Sequence, residues 1–257
     1  MNKPMRISDI QNKKKQGEKI SMLTAYDYPI AKILDESGVD MLLVGDSLGN
    51  VVLGYPDTLS VSMQDMVHHC SAVSRATKHA LLVCDMPFGS YQVSQEKAVA
   101  NAIKLMAKGR AHAVKLEGGE ELVDTIKKIV AAGIPVMGHI GLRPQSVHQQ
   151  SGYKKQGKTD TAKQQLMKDA KALEKAGVFS IVLECVEETL AQVISKELSI
   201  PTIGIGSGKA CDGQVLVTYD MLGLNTGYVP NFVKVTGNLQ QVMQQGVEQY
   251  KQWINES

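Results

Sequence analysis

Short apolar runs that stop at an acid recur along the chain. Met41-Leu42-Leu43-Val44 gives way to Gly45-Asp46-Ser47-Leu48-Gly49, and residues 80–84 end at Asp85. Ala113-Val114-Lys115-Leu116 ends at Glu117, and Ser180-Ile181-Val182-Leu183 ends at Glu184. A continuous apolar run bounded by turn residues reads as a strand buried on both faces. A carboxylate at its tip must lie where the interior opens to water, or it carries a large desolvation cost. Four such strands place one acidic cluster at one end of a parallel sheet.

Between these runs apolar positions recur at helical spacing. Residues 5–17 read as a short polar helix ahead of the fold proper, and residues 20–25 as a first strand ending at Tyr26-Asp27. Ile30, Ile33 and Leu34 share one face of a helix over 28–37 that stops at Gly38. Ser62-Met63-Gln64-Asp65 has the form of a capping box, and Ser94 caps a helix carrying Ala98, Ala102, Leu105 and Met106. Glu120 and Glu121 open another helix, which stops at Gly133, and residues 135–138 are a fifth strand reaching His139. Residues 161–176 turn Leu166, Ala170 and Leu173 inward, and 187–198 are helical. Strands seven and eight fall at 200–204 and 214–218, and helical material completes the chain.

This alternation, without a linker or composition break, predicts one domain over 1–257. The fold class is α/β, a (β/α)8 TIM barrel with a short N-terminal helix and a C-terminal helical segment. A doubly wound open sheet is the alternative. Two stretches fit less well. Residues 206–213 are short for a parallel crossover, which usually takes a dozen or more residues. Residues 141–160, rich in Gln, Lys and Gly, are long for a loop in a compact domain and read as a lid.

The 257 residues suit a single barrel of this kind, and the net charge of +2 gives no polyanion-binding signature. Nucleic acid is therefore not an expected partner, and Lys13-Lys14-Lys15 reads as a solvated helix face. No apolar run approaches a membrane span, and the first residues lack the apolar core of a signal peptide. A cytoplasmic protein without membrane attachment is expected. Cys70, Cys84, Cys185 and Cys211 show no C-x-x-C spacing and read as reduced thiols.

Active sites of such barrels lie at the carboxyl ends of the strands, so Asp46, Asp85 and Glu117 are expected at one mouth. Like charges at close range suppress one another's ionisation unless a cation compensates them. Mg²⁺ suits one or two carboxylates plus substrate oxygens and water. Taken singly, each acid reads equally well as a helix N-cap or a surface ion-pair partner; the repeated strand-end position favours the cluster. Lys115 lies two residues before Glu117 and faces the same way. A buried ammonium needs an anion, either Glu117 itself or a substrate carboxylate. A Schiff-base lysine is the chemical rival, disfavoured because neighbouring acids raise an amine's pKa. Glu184, beside apolar Leu183 and Val182, is a candidate general base. His139 is a second acid/base or an orienting group. Gly204-Ile205-Gly206-Ser207-Gly208 has the look of a phosphate nest, with tight-turn glycines the plainer reading. These residues reach a Mg²⁺-dependent barrel that makes an enolate of a small oxo-acid, and they do not name the electrophile.

Several motifs resemble the ketopantoate (3-methyl-2-oxobutanoate) hydroxymethyltransferase family. They are Thr24-Ala25-Tyr26-Asp27, Val44-Gly45-Asp46-Ser47-Leu48-Gly49, Asp85-Met86-Pro87 and Val114-Lys115-Leu116-Glu117-Gly118-Gly119. Pro135-Val136-Met137-Gly138-His139-Ile140-Gly141-Leu142, Pro144-Gln145-Ser146, Leu183-Glu184-Cys185 and Ile203-Gly204-Ile205-Gly206 follow in the family's order. The resemblance implies Mg²⁺ ligation by Asp46, Asp85 and Glu117, some of them through water. It implies keto-acid binding by Asp46, Ser47, Asp85 and Lys115, and catalysis by Glu184 as proton acceptor with His139 nearby. The substrate it implies is 3-methyl-2-oxobutanoate, whose enolate attacks 5,10-methylenetetrahydrofolate, the co-substrate; the assembly it implies is a cytoplasmic homodecamer. Arg143 stands where a smaller residue is expected and Tyr219 where histidine is expected, both outside the implied ligand set. Two rivals are an oxo-acid lyase or mutase of the isocitrate-lyase type and a non-catalytic oligomeric keto-acid binding protein.

Overall fold

In the computed structural model, which describes residues 3–150, 152 and 154–256, eight parallel strands close into a ring in chain order. They are β1 (Ile20–Thr24), β2 (Met41–Val44), β3 (Leu81–Asp85), β4 (Ala113–Glu117), β5 (Val136–Gly141), β6 (Ser180–Glu184), β7 (Thr202–Ile205) and β8 (Gly213–Leu216). The expected barrel is observed, and the open sheet is not. Helices α1 (Ile7–Gln16), α2 (Tyr28–Glu36), α3 (Leu48–Val51) and α4 (Met63–Ala76) belong to the first half of the ring. Further on come α5 (Gln95–Lys104), α6 (Val123–Ala131), α7 (Asp160–Ala176) and α8 (Glu188–Glu197). The caps expected from sequence form: Ser62 and Asp65 make a reciprocal capping box, and Ser94 accepts from the Lys97 amide. Short α3 was not expected. A π-helical turn over Leu105–Gly109 extends α5, and a 3₁₀ turn at Glu120–Leu122 precedes α6.

Strand periodicity decides what faces the barrel axis. Met22, Met41, Leu43, Val83, Ala113, Met137 and Val182 pack into one buried cluster. Two residues further along each central strand, the inward position turns polar. Asp85 follows Val83, Lys115 and Glu117 follow Ala113, His139 follows Met137, and Glu184 follows Val182. The interior therefore changes from hydrocarbon at the amino ends of the strands to charge at the carboxyl ends. Cross-strand register sets Asp85 beside Lys115 and Glu117 beside His139.

Helix α1 covers the amino ends, with Ile10 entering the apolar cluster. Lys13 Nζ lies 2.7 Å from Asp40 Oδ1, and Lys14 Nζ lies 2.8 Å from Asp212 Oδ2 and 2.7 Å from the Ser195 carbonyl. The lysine run is thus not a plain solvated face. Only Lys15 of the three is exposed, because the acids preceding β2 and β8 draw the other two down.

Residues 206–212 return from β7 to β8 without a helix, which resolves the crossover that looked too short. Asp212 Oδ2 accepts from the Thr202 amide at 2.8 Å and its hydroxyl at 2.9 Å, anchoring the return at the start of β7. The Ile20 amide donates to the Asp212 carbonyl at 3.0 Å, at the seam between first and last strands. The stretch expected as a lid is held at two points. β5 runs on to Gly141, a 3₁₀ turn over Pro144–Ser146 buries Gln145, and Gln156 pairs with Val186 in an isolated bridge. Ser151 and Tyr153 of that stretch lie outside the described residues.

The chain divides into two compact units, Met1–Val215 and Leu216–Ser257. In the second, α9 (Thr218–Met221) is followed by an irregular segment and by α10 (Leu239–Glu256), which exposes Val242, Val247, Tyr250 and Trp253. No helix among the described residues is long and apolar enough to cross a membrane.

Candidate active site

Six ionisable side chains meet at the mouth, each delivered by a strand tip or the turn after it. Lys115 Nζ lies 2.9 Å from Asp85 Oδ1, 3.1 Å from His139 Nδ1 and 4.0 Å from Glu117 Oε1. His139 stands between two carboxylates, with Nδ1 3.3 Å from Glu117 Oε1 and Nε2 3.2 Å from Glu184 Oε2. Asp46 follows β2, and its amide donates to Asp85 Oδ2 at 3.0 Å. Gly45 has room for no side chain here, since a Cβ would meet the Ser47 hydroxyl. The Ser47 hydroxyl in turn lies 2.8 Å from the Tyr26 hydroxyl. Asp46, Asp85, Lys115, Glu117 and His139 are all buried, whereas Glu184 keeps some exposure.

Burial and mutual charge set the protonation of the cluster. Burial pushes the Asp46 carboxyl well above the usual carboxylate range, and the Asp85 and Glu117 charges add to the push. Burial also raises Asp85, although the Lys115 ammonium opposes it. For Glu117 the upward pull of burial is outweighed by His139, Lys115 and the Gln145 amide, so its carboxyl sits below its ordinary value. Burial works against the Lys115 ammonium, but Asp85, Glu117 and Asp46 outweigh it and raise its pKa. Burial and Lys115 pull His139 down; Glu117 and Glu184 outweigh both and hold it at about 9. The anions outnumber the cations, and Asp46 is the group driven toward its neutral form.

The family model for ketopantoate hydroxymethyltransferase matches residues 4–257. The chain belongs to the ketopantoate hydroxymethyltransferase family. A 3-methyl-2-oxobutanoate hydroxymethyltransferase of Syntrophus aciditrophicus (strain SB) is 58% identical over 243 residues, 95% of this chain and 89% of that protein. One of Thermoanaerobacter sp. (strain X514) is 56% identical over 237 residues, 92% of this chain and 86% of that protein. Among solved structures, 2,3-dimethylmalate lyase of the PEP mutase/isocitrate lyase superfamily aligns with a TM-score of 0.64 at 15% identity, covering 97% of this chain and 86% of that one. Phosphonopyruvate hydrolase in complex with oxalate and Mg²⁺ aligns with a TM-score of 0.63 at 14% identity, covering 83% and 80%. At that identity the likeness is one of fold. This chain is a hydroxymethyltransferase, an enzyme rather than a binding protein, and family membership sets aside the lyase or mutase rival.

In this family member Asp46, Asp85, Lys115, Glu117, His139 and Glu184, singled out by sequence, come together in one network, and Ser47 stands next to Asp46 with its hydroxyl on Tyr26. Sequence reasoning gave no role to Tyr91 and Gln145, which tie that network together, or to Tyr26, which holds Ser47. Gln145 lies in a quoted motif, but a polar residue in a polar loop carries no pattern that foretells its burial. Arg143 ion-pairs with Glu121 at 2.5 Å, away from the cluster. Gly204 and Ile205 finish β7, and the chain bends away through Gly206 and Gly208, both at positive φ. The Ser207 hydroxyl donates to the Leu183 carbonyl, and the Glu188 carboxylate fills the space beside Gly208, where a phosphate would be repelled.

No three His, Cys, Asp or Glu side chains among the described residues are already gathered as metal ligands. The donor set nonetheless suits a hard divalent cation. Asp85 Oδ1 is buried with no hydrogen-bond donor aligned on it, although Lys115 pairs with it as a charge. Asp46 is hydrogen-bonded through Oδ2 alone among the described residues. Carboxylate oxygens that outnumber the cations around them are what Mg²⁺ coordination asks of a protein, with water and substrate supplying the rest.

Proposed function

We propose that this enzyme transfers a hydroxymethyl group from 5,10-methylenetetrahydrofolate to C3 of 3-methyl-2-oxobutanoate, giving 2-dehydropantoate for pantothenate synthesis. The observation that carries the reading is His139 bridging Glu117 to Glu184, which joins the expected base to the acid cluster. Lys115 and Ser47 orient the keto acid through its carboxylate. Glu184 takes the proton from C3, and His139, whose Nε2 lies 3.2 Å from Glu184 Oε2, holds that carboxylate toward the mouth. Asp46 and Asp85, with Glu117 behind them, would hold a divalent cation, which when bound would supply Lewis-acid stabilisation of the developing oxyanion. C3 then bonds to the methylene carbon of the folate as that carbon's bond to N10 breaks and N10 takes up a proton. Water replaces N5 on the same carbon, so the hydroxymethyl group forms and tetrahydrofolate leaves with N5 protonated. The raised pKa of Lys115 argues against a Schiff base, since the amine stays protonated.

NMR of 3-methyl-2-oxobutanoate in D₂O, with Mg²⁺ and without folate, tests the base. Exchange at C3–H is expected to require Mg²⁺ and to fall by about 10²–10⁴ in Glu184→Gln. Exchange at the wild-type rate in that variant removes Glu184 from the role. Borohydride with substrate should trap no adduct on Lys115, and a trapped adduct would favour the Schiff base. The cytoplasmic homodecamer implied by the family motifs is checked by analytical ultracentrifugation, where a monomer would refute it.

A further inference from the structure

The most heavily shared side chain at the mouth carries no charge. Gln145, 4% exposed, is hydrogen-bonded to Asp46, Met86, Glu117 and Tyr91. Its Nε2 donates to Asp46 Oδ2 at 2.7 Å and to the Met86 carbonyl at 3.0 Å, and its backbone amide donates to Glu117 Oε2 at 3.0 Å. Its Oε1 accepts from the Tyr91 hydroxyl at 2.7 Å. The orientation of the carboxamide is fixed by this surrounding, because the Met86 carbonyl can only accept. Tyr91 is itself locked, its hydroxyl lying 3.2 Å from the Glu117 amide that donates to it.

The consequence is a count of free oxygens. Asp46 has Oδ2 occupied by Gln145, and Asp85 has Oδ2 occupied by the Asp46 amide. Asp46 is left with Oδ1 for an incoming cation, while Asp85 Oδ1 already faces the Lys115 ammonium at 2.9 Å and would be shared with it. Glu117 has one oxygen on the Gln145 amide and the other facing His139, so it stands behind the pair. We infer that Gln145 is a positioning residue that sets cation choice: by capping Asp46 Oδ2 it holds that carboxylate to one-oxygen ligation, which favours Mg²⁺ over Ca²⁺. Mg²⁺ takes six ligands in near-ideal octahedral geometry and keeps its waters, whereas Ca²⁺ takes six to eight oxygens and is served by bidentate carboxylates. Two-oxygen chelation by Asp46 requires breaking the Gln145 bond while the Met86 carbonyl and the Tyr91 hydroxyl hold the carboxamide in place. The inference rests on the cation site proposed above.

The test is isothermal titration of the full chain with MgCl₂ and, separately, CaCl₂, without either substrate. Gln145→Met keeps the side-chain length and removes the donor. The ratio of Mg²⁺ to Ca²⁺ affinity is expected to fall about tenfold, the low end of effects seen when an outer-shell partner of a metal ligand is removed. Tyr91→Phe leaves Gln145 in place but frees its carboxamide, and should move the ratio the same way by less; it carries the test if the methionine variant does not fold. Mg²⁺ binding by wild type with the ratio unchanged in the folded variants overturns this inference and leaves the cation site standing. Absence of Mg²⁺ binding by wild type overturns both.

Discussion

The two ends of the barrel solve the same problem in opposite ways. At the amino end each buried or half-buried acid has its own partners: Asp40 takes Lys13 and the amide and hydroxyl of Ser21, and Asp212 takes Lys14 and both donors of Thr202. At the carboxyl end Asp46, Asp85, Glu117 and Glu184 share one lysine and one histidine. The first arrangement closes a structure; the second leaves charge unsatisfied where a ligand can enter. A surplus of one sign in a buried place is a mark of function because it costs stability that neutral packing would not.

Removing a cation at each end should expose this difference. Lys115→Met leaves several buried carboxylates without their shared partner, and should destabilise the fold by about 3–5 kcal/mol in urea titration at neutral pH. A loss under 1 kcal/mol would mean that the mouth is better solvated than its burial indicates. Gly141→Ala comes next. This residue has φ +96°, and a Cβ there would collide with the Glu184 carbonyl. Backbone strain of about 1–3 kcal/mol is expected, together with loss of C3–H exchange as Glu184 is displaced; unchanged exchange would show that Glu184 does not depend on this turn. Lys13→Met, whose pair keeps 23% and 9% side-chain exposure, should cost no more than about 1 kcal/mol. A loss as large as that of Lys115→Met would erase the contrast.

Two histidines sharpen it further through pH. His112, just before β4, accepts the Leu82 amide on Nδ1, and burial lowers its pKa from 6.5. The unfolded chain binds this proton more readily, so the contribution is whole above 6.5 and lost as pH falls below it. His139 is raised to about 9 from 6.5, so its contribution is whole below 6.5 and lost as pH rises through about 9. In metal-free protein, His112→Asn should flatten the acid side of the stability profile and His139→Gln the alkaline side. Either variant flattening the opposite side would contradict the assignment.

The acids at the strand tips were legible because a buried parallel strand is apolar on both faces, so a carboxylate closing it stands out. Lys115 was legible for the same reason, as a charge inside a strand. Gln145 and Tyr91 were not, since their burial depends on how a loop folds back over strands distant in sequence. The sequence pattern likewise set the barrel but not the helix-free return at 206–212, where Asp212 supplies the anchor that helix packing supplies elsewhere. Lys13 and Lys14 were misread because a charged run shows its own sign and not the acids waiting opposite.

The seam where Ile20 meets the Asp212 backbone also has a consequence during synthesis. Until the ribosome has delivered nearly the whole barrel, β1 presents an open flank of backbone donors and acceptors, a template for sticking to other nascent chains. A chain ended after residue 206 is therefore expected to aggregate in light scattering at concentrations where the full chain does not, and a clear solution of that fragment would show that the flank is shielded some other way.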